Sequence, residues 1–186
     1  MALLIHEGEK PSGLWAQIDE ATGGAIARAL DVAEFKGAKG KTCVILAPGA
    51  NLTRVLAVGL GKPADLTQKI LEEAGGAVVS NLSREVTVAV TNSALTAQQA
   101  AEVALGAVLR SYRFDRYRTK EKAEDKPKLS KMTVLTGENT KAKAAWEPLD
   151  ATAKGVFLTR DLVSEPPNVL DPPEMPNAAA SCPNSA

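Results

Sequence analysis

The sequence has few residues of the types on which many catalytic and metal sites depend. Its 186 residues include one histidine, His6, which has no nearby pair of carboxylates, and a lone histidine does not make a metal site. Neither Cys43 nor any serine has a histidine placed to act as its base, so nucleophilic catalysis is unsupported. Cys43 and Cys182 form no CxxC pair, which excludes the usual zinc and redox motifs. Sparse cysteine of this kind is typical of a reduced, cytoplasmic protein.

The chain also lacks net charge and long apolar runs. Its 22 basic residues balance 22 acidic ones, so bulk electrostatics favour neither a nucleic-acid nor a membrane partner. The N-terminus, MALLIHEGEK, has an apolar patch too short for the core of a signal peptide. No later run approaches the length that spans a bilayer. We therefore expect a cytoplasmic protein without a membrane partner.

What remains is ordinary globular composition, with 45% apolar and 24% charged residues. Alternating or β-rich runs predict five strands, at 2–5, 42–47, 53–58, 85–90 and 132–136. The short turn at 48–51 predicts that the second and third strands form an antiparallel hairpin.

Helical periodicity fills the intervals between these runs. The predicted helices begin at Ser12 or Gly13, at Ala25 (to Phe35), at Asp65, at Thr96 (towards Tyr117) and at Thr140. Because Gly23 and Gly24 interrupt the first pattern, either two short helices or one kinked helix fits residues 12–35. Asp65 with Gln68 predicts an N-cap, and Thr96 with Gln99 predicts a capping box. Gly75 and Gly76 weaken the third helix, so we expect close packing against the sheet to compensate.

The end of the last helix is predicted from its prolines. Pro148 either kinks this helix or starts a second one. Glu165 precedes Pro166, so the helix should stop near Ser164.

The alternation of elements predicts an α/β domain with a mixed sheet flanked by helices on both faces. From Pro176 the Asn-, Ala-, Ser- and Pro-rich sequence predicts an irregular, mobile tail.

Three features are candidate sites. The glycine-bearing run 58–62, VGLGK, occupies the place of a phosphate-binding loop but fits neither the Walker nor the GxGxxG pattern, which favours a tight strand-to-helix turn. Asp161 and Glu165, four residues apart, can share a helix face, and we favour a role at a domain junction over acid–base chemistry.

The third candidate is a group of cations interleaved with aromatic residues, a pattern that can bind single-stranded nucleic acid. Its members are Arg110, Arg113, Arg116, Arg118, Lys120 and Lys122, with Tyr112, Phe114 and Tyr117. We favour the alternative in which the cations offset the dipole of the preceding helix while the aromatic rings pack inward. Nucleic-acid binding is the less favoured interpretation, because the chain has no net positive charge.

Three segments resemble the leucyl (cytosol) aminopeptidase family in that family's order. They are RVLAVGLGK at 54–62, LGAVLRSYRFDRYRTK at 105–120 and LTRDLVSEPPNVL within 157–171; ATGGAIARAL is also similar, although family members usually carry another short strand ahead of it. The resemblance implies an N-terminal accessory α/β domain at 1–157 that is macro-domain-like. It also implies that 158–186 is the domain junction with a truncated stub of the catalytic domain.

Family members release N-terminal amino acids from peptides, using two divalent metals, manganese or zinc, that activate a water. Motifs such as NTDAEGR hold those metals in the C-terminal domain, and the sequence contains none. The resemblance therefore carries no catalytic, cofactor-binding or metal residue to this chain, which we expect to be inactive by itself and a monomer or weak dimer. The alternative hypothesis is a macro-domain-like module that binds ADP-ribose or nucleic acid.

Overall fold

The computed structural model describes residues 1–83, 87–92, 95–122, 124 and 126–169. Within these residues the strands are β1 Ala2–His6, β2 Thr42–Gly49, β3 Leu52–Gly61, β4 Thr87–Thr91 and β5 Lys131–Val134. The helices are α1 Gly13–Ala21, α2 Ala25–Val32, α3 Gln68–Leu82, α4 Ala97–Ser111 and α5 Asn139–Ser164, with a short 3-10 turn at Pro63–Asp65.

The strands form one mixed sheet in the order β2-β3-β1-β4-β5. β2 and β3 pair antiparallel through the predicted hairpin, whereas β1 lies parallel to both β3 and β4, and β4 lies parallel to β5. The predicted α/β class with a mixed sheet is confirmed. The order leaves β2 at one edge of this sheet and β5 at the other.

Helices cover both faces of the sheet, as the alternation of elements predicts. Successive side chains of a strand point to opposite faces. Accordingly, Ala2 and Leu4 of β1 join the core on the side of α3 and α4, whereas Leu3 and Ile5 join a second core with α1 and α2. The central strand thus buries apolar side chains in both layers.

Helices α3 and α4 cross at unusually close range, and glycine makes this possible. A Cβ atom added to Gly75 would lie 2.0 Å from the carbonyl oxygen of Val103, and one added to Gly106 would lie 1.9 Å from that of Glu72. The expectation that Gly75 packs against the sheet is wrong, because its neighbour is the backbone of another helix. Gly76 has only ordinary contacts, the nearest being the Cβ of Arg110 at 3.6 Å.

Several boundaries differ from the predictions. β3 continues to Gly61. The N-cap of α3 is Thr67, not Asp65, which instead ends the preceding 3-10 turn. α2 ends at Val32, short of the predicted Phe35, and β5 begins one residue earlier than predicted and ends two earlier. Residues 85 and 86 of the predicted fourth strand, and the tail from Pro176, lie outside the described residues.

The predicted ends of α4 and α5 were partly right. The capping box is present, since the amide of Gln99 donates to the Thr96 hydroxyl at 3.3 Å and the amide of Thr96 donates to the Gln99 side chain at 3.0 Å. α4 ends at Ser111, well before Tyr117. α5 is one helix that contains Pro148 and ends at Ser164 as predicted, with Glu165 in extended backbone.

No helix in the described ranges is long and apolar enough to cross a membrane.

Candidate functional site

The segment that follows α4 lies against the C-terminal end of α5. Tyr112 leaves the helical conformation with φ −54° and ψ 133°, which turns the chain away from the axis of α4. The packing of α5 against α4 places residues 112–117 beside 157–165. Two of the segments that resemble the aminopeptidase family therefore touch each other, although the residues in contact are 49 positions apart.

Tyr112 anchors the first half of this contact. Its hydroxyl donates a hydrogen bond to Asp161 Oδ1 at 2.7 Å, and its ring packs on Phe157 with centroids 5.2 Å apart. The guanidinium of Arg160 lies 5.4 Å from the centroid of the Tyr112 ring, within the range of a cation–π interaction. Arg160 also donates to the carbonyl oxygen of Leu109 at 2.8 Å, which ties α5 to the end of α4.

Glu165 is the centre of the second half. Its carboxylate accepts hydrogen bonds from the Tyr117 hydroxyl and from the Arg116 guanidinium, and its side chain is only 8% exposed. Arg116 also reaches Asp161, with 3.9 Å between Nη2 and Oδ2. Tyr112, Arg116, Tyr117, Asp161 and Glu165 thus form a connected set, which we call the junction cluster. The prediction that Asp161 and Glu165 share a face is confirmed, because Arg116 contacts both carboxylates.

Two further members of the cation–aromatic group, Arg113 and Arg110, also bond to side chains within the domain. Arg113 donates to Glu121, and this hydrogen bond holds the pKa of the Glu121 carboxyl below its usual range. Arg110, in the last turn of α4, donates to the Ser80 hydroxyl of α3 at 2.8 Å. A cation at that position also offsets the helix dipole. The predicted dipole role fits Arg110, whereas the side-chain partners of Arg110, Arg113 and Arg116 were not predictable from sequence spacing.

The carboxylates of the cluster perturb both tyrosines of the chain. The hydrogen bond to Glu165, followed by burial, raises the pKa of Tyr117 above its ordinary value. Burial, followed by the hydrogen bond to Asp161, raises the pKa of Tyr112. In both cases burial disfavours the charged phenolate, and losing the proton would also remove a donor and set that phenolate beside a carboxylate.

These shifts predict an alkaline titration that reports on the cluster directly, because Tyr112 and Tyr117 are the sequence's two tyrosines. We expect ultraviolet absorbance of the folded chain to show both phenols ionising above about pH 10, the value of unfolded tyrosine. A folded pKa raised in this way adds stability below the unfolded pKa, and that stability is lost as the pH rises through the folded value.

Glu165→Gln and Asp161→Asn should lower the titration midpoints of Tyr117 and Tyr112, respectively. The control is Asp115→Asn, which removes a nearby carboxylate that pairs with Arg113 and does not bond to either phenol. Titration of the wild-type chain at the unfolded value, or equal shifts in all three variants, would contradict the cluster.

Residues 58–61 of the glycine-bearing run belong to β3 and Lys62 follows the strand, so the predicted strand-to-helix turn over 58–62 is wrong. The amides of Gly59 and Gly61 donate to the carbonyl oxygens of Lys41 and Gly37, at 2.8 and 2.9 Å. A phosphate-binding loop needs such amides directed at its ligand. Here they bond to the segment 37–41, so this run holds two parts of the fold together.

The other candidate residues from the sequence do not form a common site. His6 Nδ1 lies 3.3 Å from the carbonyl oxygen of Gly61. Burial raises the pKa of the half-buried Cys43 thiol. Cys182 lies outside the described residues. Across the described ranges, no three side chains of His, Cys, Asp or Glu come together in a way that could hold a metal ion.

Known proteins resemble this chain in sequence and in fold. Residues 2–121 match the family described as the cytosol aminopeptidase family, N-terminal domain. The chain belongs to this family. A probable cytosol aminopeptidase from Caulobacter vibrioides is 40% identical over 176 residues, which cover 94% of this chain and 36% of the relative. One from Rhizobium etli is 39% identical over 181 residues, with the same two coverages.

Solved structures with the same fold include a tomato leucine aminopeptidase variant, which matches with a TM-score of 0.78 and 24% sequence identity. The match covers 96% of this chain and 38% of the tomato chain. The bottromycin maturation enzyme BotP, in complex with Mn, gives a TM-score of 0.66 at 25% identity, covering 95% of this chain and 34% of that one. This N-terminal domain of the cytosol aminopeptidase family thus spans about a third of the length of the curated relatives it matches.

Proposed function

We propose that this chain is the accessory part of a cytoplasmic, metal-dependent aminopeptidase and that its junction cluster orients the polypeptide that leads into the peptidase part. In this proposal the complete protein releases N-terminal amino acids from peptides. Residues 1–157 are the accessory domain and 158–186 begin the connection. α5 runs unbroken across residue 157, so the two regions share a helix.

The position of Glu165 is the observation that supports this role. Glu165 is the C-cap of α5 and precedes Pro166, so it lies where the chain leaves the helix in an extended direction. Its nearly buried carboxylate is bonded to Arg116 and Tyr117, which belong to the segment after α4. Two hydrogen bonds at this C-cap residue restrict the angle at which the following chain departs.

The metal chemistry belongs elsewhere in the proposed protein. A two-metal centre needs several oxygen or nitrogen ligands around each ion. The described residues bring no group of three such side chains together, so they do not fit a pair of manganese or zinc ions. In this proposal the chain carries out no catalytic step, and its contribution is to position the part that carries the ligands.

The alternative of a module for ADP-ribose or nucleic acid has no supporting observation in the described residues. The amides of the glycine-bearing run are bonded within the domain, and Arg113 and Arg116 are paired with carboxylates.

The proposal is tested by joining residues 1–169 to the peptidase part of the Caulobacter vibrioides relative. We expect the 186-residue chain by itself to release no product from leucine p-nitroanilide, with or without manganese or zinc, and the chimera to be active. Glu165→Gln in the chimera should reduce kcat/KM about tenfold, because small misplacements of a catalytic part have effects of at least that size. Lys122→Ala, at an exposed cation that pairs with Glu124, is the control and should leave kcat/KM unchanged.

Metal-dependent turnover by the purified 186-residue chain, free of contaminating peptidase, would overturn the accessory role. An active chimera that is indifferent to Glu165→Gln would instead refute only the orienting role of the junction cluster. Thermal melting of each variant separates a loss of orientation from a loss of folding.

A further inference from the structure

The outer edge of β5 is open in the described part of the chain. β5 pairs there with β4 alone, through the register Thr87 with Lys131 to Val90 with Val134. A strand paired on one side directs about half of its backbone N–H and C=O groups away from its partner. Edge groups of this kind can pair with an added strand.

A groove of about 690 Å³ lies beside this edge, between α4, β5 and the first two turns of α5. Its walls are mainly small or apolar side chains: Ala100, Ala104 and Val108 of α4, Met132 and Val134 of β5, and Trp146 of α5. The alanines leave α4 without bulky side chains on this side, so the space between the helix and the edge strand stays open. Met132 and Val134 are half-buried and connect the groove to the core beneath α3 and α4.

The charges around the groove have one sign. Lys131 and Lys143 line it, and no carboxylate among the described residues does. Neither lysine forms an ion pair with another described residue, whereas the neighbouring Lys141 is paired with Glu138. An occupant with acidic side chains is therefore favoured over a neutral or basic one.

We propose that the β5 edge and its groove bind an extended segment of another polypeptide, with apolar residues at alternate positions and acidic residues at its ends. The segment adds to the sheet as a sixth strand beside β5. Its backbone pairs with the open edge, its apolar side chains enter the groove, and its carboxylates meet Lys131 and Lys143. A free edge next to an apolar trough is the arrangement by which proteins bind peptides through strand addition.

The test uses the full 186-residue chain and a fluorescein-labelled eight-residue peptide in which valine and threonine alternate between terminal glutamates. We expect saturable binding by fluorescence anisotropy. Ala104→Phe fills the groove and should weaken binding at least about tenfold, the size of effect typical of central contacts. Lys143→Glu reverses an exposed charge at the wall and should weaken binding by roughly two- to fivefold. Lys10→Glu makes the same charge change at an exposed position outside the groove and should bind as the wild-type chain does.

Lys143 is exposed, so Lys143→Glu tests the surface even if Ala104→Phe fails to fold. A peptide with lysines in place of the glutamates should bind more weakly than the acidic one. Absence of saturable binding, or equal binding by the wild-type, Ala104→Phe and Lys143→Glu chains, overturns the proposal. A peptide-free dimer that Ala104→Phe dissociates, observed by sedimentation, would assign the groove to a second copy and would also overturn it.

Discussion

Replacing Gly106 by alanine is expected to destabilise the domain by about 3 kcal/mol, the upper part of the usual range for overpacking a core. The new Cβ would lie 1.9 Å from the carbonyl oxygen of Glu72 and 2.4 Å from its carbonyl carbon. Both are backbone atoms, so no side-chain rotation relieves the contact, and α3 and α4 must move apart. For a chain of this size the melting temperature should fall by roughly 6–12 °C.

Gly75 and Gly76 provide the matched pair for this prediction. Gly75→Ala should behave like Gly106→Ala, because its Cβ would lie 2.0 Å from the carbonyl oxygen of Val103. Gly76→Ala, at the next position of α3, meets its nearest atom at 3.6 Å and should be neutral or stabilise the helix by up to about 1 kcal/mol. Urea denaturation of the three variants checks the prediction. Equal stabilities for Gly75→Ala and Gly76→Ala would show that the helices do not approach this closely.

Gly59→Ala is expected to produce a second large loss of stability, again about 3 kcal/mol. Gly59 is buried in β3, and an added Cβ would lie 2.1 Å from the carbonyl oxygen of Ala38 and 2.8 Å from that of Gly37. The segment 37–41 would have to leave the strand and lose its hydrogen bonds to Gly59 and Gly61.

Gly137→Ala is the control, because no atom outside its chain neighbours lies within 4 Å of the new Cβ. Thermal melting followed by circular dichroism measures both variants.

Inorganic pyrophosphate added to the wild-type chain should leave its melting temperature unchanged, since the amides of the glycine-bearing run are bonded within the domain. A concentration-dependent increase, abolished in Lys62→Ala, would support a phosphate site in place of the structural role.

The features that were predictable from sequence have local causes. The alternation along β1, the hairpin between β2 and β3, and the Thr96–Gln99 capping box each depend on residues within a few positions of one another. The end of α5 at Ser164 follows from the steric effect of Pro166 on Glu165. The resemblance to the cytosol aminopeptidases could also be found in the sequence. It is confirmed by the family match over residues 2–121 and by relatives 40% and 39% identical over 94% of the chain.

Features that were predicted wrongly depend on contacts between distant segments. Glycine has low strand propensity, yet β3 continues through Gly59 because β1 and the segment 37–41 pair with it. α4 ends at Ser111, although cations and aromatic residues continue the helical spacing, because Tyr112 turns away to contact Phe157 and Asp161.

The sequence by itself determined the α/β class, the order of the elements, the family and the point where α5 ends, because these follow from periodicity, caps, prolines and motifs read along the chain. Only the tertiary structure decided that Gly75 faces a helix, that β5 has an open edge beside a groove, and that Arg116 joins Asp161 to Glu165. The physical reason is separation along the chain: Arg116 and Glu165 are 49 residues apart, and the packing of α5 on α4 brings them together.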